Sequence, residues 1–238
     1  MVGSILPAVL HGVELRRGGR RILGPVSLTL AAGGVTVVMG PNGAGKTSLL
    51  RVLHGIERIT AGSVVWQGAQ AQVRARQAFV FQAPIMMRRS VLDCIAYPLR
   101  LDGMRRAPAR ARAAEAAARV GLGGLLGQHA PFLSGGEKQK LALARALIRA
   151  PEVLFLDEPC ANLDGRATRD IEAILLAARD QGTRIVMSTH DLGQARRLAD
   201  DVLFVYEGRV VDAAPRAAFF AAAQSPQAQA YLKGDLLP

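Results

Sequence analysis

The chain has 238 residues, half of them hydrophobic, enough to bury a substantial core as one domain with a smaller subdomain attached. Its formal charge of +11 suits an acidic partner, but the positive charge is almost all arginine, with lysine only at Lys46, Lys138, Lys140 and Lys233. The charge is spread along the chain and not gathered in a block, which fits a coding bias better than a nucleic-acid footprint. Cys94 and Cys160 stand alone, without metal-site spacing or the density of a secreted disulfide scaffold. A reducing setting follows. No apolar run nears the roughly 20 residues of a membrane span, and no signal-peptide pattern opens the chain.

Taken in chain order, alternating segments at 9–15, 22–30 and 63–66 predict antiparallel strands beside the main core. Short β-rich runs at 35–39, 79–81, 153–156, 184–188 and 202–206 alternate with helical segments, which argues for a mostly parallel α/β sheet. The run at 35–39 leads directly into Gly40-Pro41-Asn42-Gly43-Ala44-Gly45-Lys46-Thr47-Ser48, the GxxxxGK[ST] phosphate loop, with a helix expected over 47–53. Its glycines turn consecutive N–H groups towards a polyphosphate, and the helix N-terminus adds a positive dipole end. Lys46 reaches for the β- and γ-phosphates, and the Thr47 hydroxyl is a Mg²⁺ ligand.

More than a hundred residues separate this loop from the strand at 153–156, too many for one crossover, so a mainly helical insert is expected at about 84–150. Its arginines between 105 and 119 read either as a solvated helix face or as contacts to acidic headgroups. Near its end stands Leu133-Ser134-Gly135-Gly136-Glu137, opening a helix through Leu141, Ala144 and Leu147. Ser134 and Glu137 have capping-box spacing, which alone requires no nucleotide. Gly135 and Gly136 are poor helix formers and suit a close backbone approach.

The strand Leu154-Phe155-Leu156 ends in Asp157-Glu158-Pro159, two acids at the sheet edge where α/β folds bind ligands. Asp157 is expected to hold Mg²⁺, usually through water, and Glu158 to polarise the attacking water. No guanine-reading NKxD string appears, which favours adenine. His190 follows the strand at 184–188 and by itself is a turn residue.

These strings, in this order, resemble the nucleotide-binding subunits of ABC (ATP-binding cassette) transporters over nearly the whole chain. The matching elements are the phosphate loop, Gln82, the signature at 133–137, Asp157-Glu158, the Asn162-Leu163-Asp164 loop and His190. The resemblance implies one ABC ATPase domain over 1–238: a P-loop core with an N-terminal antiparallel β subdomain and the inserted helical subdomain. It implies that two cassettes, identical or not, stack head to tail, each clamping ATP and Mg²⁺ between its own phosphate loop and the partner's Ser134, Gly135, Gly136 and Glu137. By the same resemblance His190 contacts the γ-phosphate and holds the water, Gln82 bridges Mg²⁺ or water to the membrane subunits, and Asp164 senses the opposite site. An aromatic residue usually stacks on adenine where Arg17 stands. A guanidinium plane also stacks on a purine, so Arg17 either substitutes or leaves the base less selectively held.

The expected function is therefore ATP hydrolysis energising an importer, peripheral on the cytoplasmic face of the cell membrane. Its partners would be permease subunits and, indirectly, a periplasmic solute-binding protein; nucleic acid is not expected. The wording is similar to importers of tungstate and related oxyanions. The stretch 79–91, with 95–99, would grip the membrane subunits, its Ile85, Met86 and Met87 either filling a groove or packing in the core. The alternative is a soluble ABC ATPase acting on DNA or ribosomes, although the long coiled coil or second cassette usual there is absent. The chain runs out after Asp235-Leu236-Leu237, so no C-terminal regulatory domain is expected.

Overall fold

A computed structural model describes residues 3–235; Leu236 and Leu237 lie outside them. Strands β1 (Ala8–Arg17), β2 (Arg20–Leu30) and β4 (Ala61–Val65) form a three-stranded antiparallel sheet in the order β2-β1-β4. These are the expected N-terminal strands, somewhat extended. The second sheet has six strands. It uses β3 (Val35–Met39), β5 (Gln77–Val80), β6 (Val153–Asp157), β7 (Arg184–Ser188), β8 (Asp201–Tyr206) and β9 (Arg209–Pro215), in the order β5-β6-β7-β3-β8-β9.

All neighbours in that sheet are parallel except β9, which returns antiparallel along β8. Strands β3, β6 and β7 are buried along their whole length, the pattern expected of parallel strands covered on both faces. Alternate residues serve opposite faces. Val38, Phe155 and Val186 pack with Leu49, Leu50 and Leu53 of α1 (Lys46–His54) and with Val13, Leu15 and Leu23 of the antiparallel sheet. Val37, Leu154 and Leu156 pack on the other side with Ile171 and Leu175 of α6 (Gly165–Asp180) and with Phe219 of α8 (Arg216–Ala222).

Between β5 and β6 the chain is helical. It forms α3 (Val91–Leu101), α4 (Arg106–Arg119), two short 3-10 turns and α5 (Gly135–Leu147) around a separate apolar cluster. Alanines make that cluster tight. Ala109, Ala113, Ala116 and Ala117 form the buried face of α4, while its arginines point outward or to the rim. Helices α2 (Gln70–Ala75), α7 (Leu192–Leu198) and α9 (Pro226–Lys233) complete the fold.

Parallel register fixes the position of the chemistry. Val38 pairs with Ser188, Asp157 with Ser188, and Val80 with Leu156. The segments following β3, β5, β6 and β7 therefore leave the sheet along one edge.

Candidate functional site

At that edge lies a cleft of about 560 Å³ bordered by Asn42, Gly43, Lys46, Gln82, Glu158 and His190, with Ile22 of β2 and Asn162 at its rim. The loop that enters it is built on glycine geometry. Gly40 has φ 143°, and a Cβ there would lie 2.0 Å from the Val205 carbonyl oxygen, so no other residue fits. Gly45, at φ 109°, caps α1 with no side chain, leaving the first helical N–H groups directed into the cleft.

Lys46 is almost fully buried, and its Nζ donates to the carbonyls of Gly40 at 2.8 Å and Pro41 at 3.0 Å. Burial holds the ammonium below the usual lysine range, against the pull of Glu158 and Asp157. The Thr47 hydroxyl donates to Asp157 Oδ1 at 2.9 Å, and the Ser188 hydroxyl donates to the same oxygen at 2.8 Å. Ser188 also accepts from the Glu158 N–H at 3.0 Å. Ser188 was missed by sequence reasoning, although a hydroxyl ending a buried strand beside two acids is a usable signal.

Glu158 sits at the centre. One carboxylate oxygen lies 3.8 Å from Lys46 Nζ, the other 3.3 Å from His190 Nδ1 and 3.5 Å from the Gln82 amide nitrogen. Its backbone is left-handed at φ 45°, a conformation that costs a non-glycine residue on the order of 1–3 kcal/mol and is typical of functional turns. Lys46, Thr47, Gln82, Glu158 and His190, from distant parts of the sequence, thus meet within one cleft, with Asp157 buried directly behind Thr47.

The donor set suits a hard divalent cation. Thr47 and Asp157 offer a hydroxyl and a carboxylate already within hydrogen-bonding distance, with Gln82 across the cleft. No group of three or more His, Cys, Asp or Glu that could by itself hold a metal ion exists among the described residues. A cation here would share its coordination with water and substrate phosphate, as Mg²⁺ usually does.

Other residues singled out from the sequence lie outside the cleft. Ser134 caps α5, with its N–H and its hydroxyl each donating to Glu137 at 2.8 Å, and those bonds keep the Glu137 carboxyl below its usual range. A Cβ on Gly136 would lie 2.9 Å from the Ala167 methyl of α6, so this glycine has a packing reason within its own chain. Asp164 caps α6, accepting from the Ala167 N–H at 2.8 Å. Arg17, at the end of β1, places one guanidinium nitrogen 2.7 Å from each Glu57 carboxylate oxygen, a contact that raises its already high pKa. Ile85 is 78% exposed and Phe81 is 37% exposed beside a hollow lined by Phe79, Pro98, Ala142 and Arg145. Met86 and Met87 pack instead against the helical cluster.

Comparison with known proteins agrees with this geometry. Residues 23–161 match the family described as ABC transporter. The chain is 39% identical over 198 residues to the tungstate uptake system ATP-binding protein TupC of Peptoclostridium acidaminophilum, covering 82% of this chain and 92% of that protein. It is 41% identical over 226 residues to the nickel import ATP-binding protein NikO of Rhodobacter capsulatus, covering 87% and 89%. Among solved structures it resembles cbiO1 of Clostridium perfringens, described as part of the ABC transporter complex cbiONQ. The TM-score there is 0.82 at 26% identity, covering 92% of this chain and 91% of that one.

Proposed function

The chain belongs to the ABC transporter family of ATP-binding subunits, and on that footing we propose how its residues bind and hydrolyse ATP and what the hydrolysis drives. It is the ATP-hydrolysing subunit of an importer. The loop from Gly40 to Ser48 cradles the phosphates, with Lys46 turning from its own loop carbonyls to the β- and γ-oxygens. Thr47 and Asp157, with Gln82, hold Mg²⁺, which supplies charge neutralisation on the phosphates when bound. Glu158 accepts a proton from the attacking water, while His190 and Gln82, both next to its carboxylate, keep that water in line.

The observation that carries this reading is the convergence on Glu158: a buried cation, an imidazole and an amide surround one carboxylate over a phosphate loop. Half of the proposed site is missing from a single chain. Ser134, Gly135, Gly136, Glu137 and Asp164 do not border the cleft; in our reading, which rests on the resemblance to paired cassettes, they act on the nucleotide of a second cassette packed head to tail. The whole chain then works as one domain in which the helical segment 84–150 is an inserted subdomain. The adenine ring would lie beyond Ile22 towards the β1–β2 hairpin, with Arg17 held by Glu57 as its stacking surface.

The exposed Ile85 and Phe81 mark the surface for the permease subunits, which keeps this chain peripheral on the cytoplasmic face of the membrane. No described helix is long and apolar enough to cross a membrane itself. For the cargo we propose a small inorganic ion, tungstate or a related oxyanion first; the likeness to TupC supports the oxyanion, and the comparable likeness to NikO makes a metal cation the competing cargo. Multiple-turnover phosphate release, measured together with copurification of a detergent-solubilised permease, tests the assignment. Turnover without any membrane partner, joined to salt-sensitive retention on nucleic acid, would contradict it. Should the neighbouring reading frames encode a solute receptor, its binding of tungstate against nickel decides the cargo.

A further inference from the structure

Four guanidiniums converge on a hollow of about 340 Å³ in the helical segment, lined by Arg89, Arg100, Arg106 and Arg110 with Asp93 and Tyr97. They come from three places: the turn before α3, the end of α3 and the start of α4. One carboxylate cannot balance them. Asp93 has both oxygens engaged, one by Arg110 and the other accepting from the Ser90 hydroxyl at 2.9 Å. Asp102, the nearest acid in sequence to Arg100, is taken by Arg149 at 2.6 Å. Arg89 lies over the Tyr97 ring, 5.0 Å from its centroid, and Arg100 donates to the Met104 carbonyl. Among the described residues, Arg89, Arg100 and Arg106 have no ion pair.

The start of α4 sharpens the imbalance. It has no side-chain cap and no acid in its first turn, and it opens with Arg105 and Arg106. A helix N-terminus is already positive, so arginine there is the disfavoured charge unless an anion sits between. The α4 terminus and the guanidiniums face the same need.

We propose that this hollow binds a multiply charged oxyanion of the phosphate class, at a site separate from the nucleotide cleft. Guanidinium forks match the oxygens of a tetrahedral anion pairwise, and an excess of three positive charges suits a dianion or trianion better than a single carboxylate. The same chemistry is carried by free inorganic phosphate and by a phosphomonoester lipid headgroup. The proposal is independent of the roles assigned around Glu158.

The test uses the full chain saturated with Mg–ADP, so that the phosphate loop is filled. Equilibrium dialysis against radiolabelled inorganic phosphate should show one further anion per chain. Flotation with vesicles of phosphatidylcholine, with and without phosphatidic acid, asks whether the lipid form binds. The exposed pair Arg100→Ala with Arg106→Ala should weaken whichever binding is seen by about tenfold or more. The doubly substituted Arg→Lys chain should recover only part of it, because a point charge lacks the fork. Phosphate binding lost in the Ala pair supports the site with the free anion as ligand, and vesicle binding lost in the pair supports it with the lipid. Absence of both, or binding that the Ala pair leaves unchanged, overturns the proposal and leaves the arginines to an acidic peptide. Arg89→Ala, outside both helices, gives the same readout should the pair fail to fold.

Discussion

The Thr47 hydroxyl donates to Asp157 Oδ1 at 2.9 Å, joining the first turn of α1 to the end of β6, 110 residues away in sequence. Ser188 donates to that same oxygen from the neighbouring strand. One buried carboxylate oxygen therefore ties the phosphate loop, the acidic strand and β7 into a fixed spacing before nucleotide arrives. Asp157→Asn keeps an oxygen that can accept these bonds but removes the negative charge. It should leave the melting temperature within a few degrees of the parent while weakening the gain in nucleotide affinity that Mg²⁺ gives, since Thr47 and Gln82 remain. Titrating ATP with and without Mg²⁺ checks this, and a variant whose affinity rises with Mg²⁺ as much as the parent's would show that Asp157 is not a cation ligand.

Lys46→Ala removes the cation that the Gly40 and Pro41 carbonyls hold at the cleft. Turnover should fall on the order of 10²–10³-fold or more, the loss typical of one aimed donor to developing phosphate charge. The fold should persist, since the hydrogen bonds that Lys46 loses run only to carbonyls of its own loop. Circular dichroism alongside a phosphate-release assay separates the two effects; unchanged hydrolysis would remove Lys46 from the phosphate site.

Glu158→Gln preserves size and hydrogen-bonding capacity but cannot take a proton. ATP should still bind, while hydrolysis slows by about 10²–10⁴-fold, the usual contribution of a general base. Closed dimers should then accumulate in sedimentation with ATP. Monomers together with an unchanged rate would mean that another group activates the water.

The cleft was largely legible from the sequence because its chemistry is written in contiguous strings: the loop 40–48, the strand that ends in Asp157-Glu158, and the strand that ends in Ser188. Short β-rich runs located β3, β6 and β7 to within a residue, since strands covered on both faces are apolar along most of their length, with Thr36, Asp157, Arg184 and Ser188 as the polar exceptions. Strand β9 was missed, because at the sheet edge Arg209, Asp212 and Pro215 break any apolar run. Helix α2 was missed too, a six-residue element with only Val73 buried. Pairings that join distant segments left no local trace: Arg17 with Glu57, the Gly136 backbone against Ala167, and the arginine hollow around Asp93.

Cys160 offers a pH test of local burial. Its thiol is half-buried, and desolvation, the largest influence on it, pushes its pKa up to about 11. A raised thiol pKa means the protonated form persists until the pH approaches that value, so reactivity rises only above about pH 10. At pH 8 about one thiol in a thousand is the reactive thiolate, against roughly one in four for an unperturbed cysteine. Maleimide labelling at pH 8, followed by mass spectrometry, should find Cys160 modified at least about a hundredfold more slowly than a free thiol. Labelling at the rate of a free thiol would show that the packing around Cys160 opens in solution.

Ser134 carries two separable roles, and one substitution reads both. Its hydroxyl caps α5 and bonds to Glu137 at 2.8 Å, so Ser134→Ala should cost about 1 kcal/mol of stability, a melting shift of about 2–4 °C for a chain of this size. That loss occurs in a monomer and needs no nucleotide. If Ser134 also reaches the γ-phosphate of a second cassette, the same variant should reduce ATP-dependent dimerisation and turnover well beyond what the small stability change explains. Mixing settles which chain supplies the group. Ser134→Ala chains combined with Lys46→Ala chains form a heterodimer in which one composite site loses both groups and the other keeps Lys46 and Ser134 intact. Turnover should reappear in that mixture, although neither homodimer shows it. A mixture as inactive as its parents, with heterodimers demonstrably present, would mean either that Ser134 and Lys46 serve the same nucleotide from one chain or that one intact site cannot turn over alone. A covalently linked dimer carrying both substitutions in the same half distinguishes these. In a head-to-tail pair each composite site then lacks one group and turnover is lost, whereas an arrangement within one chain leaves the other half active.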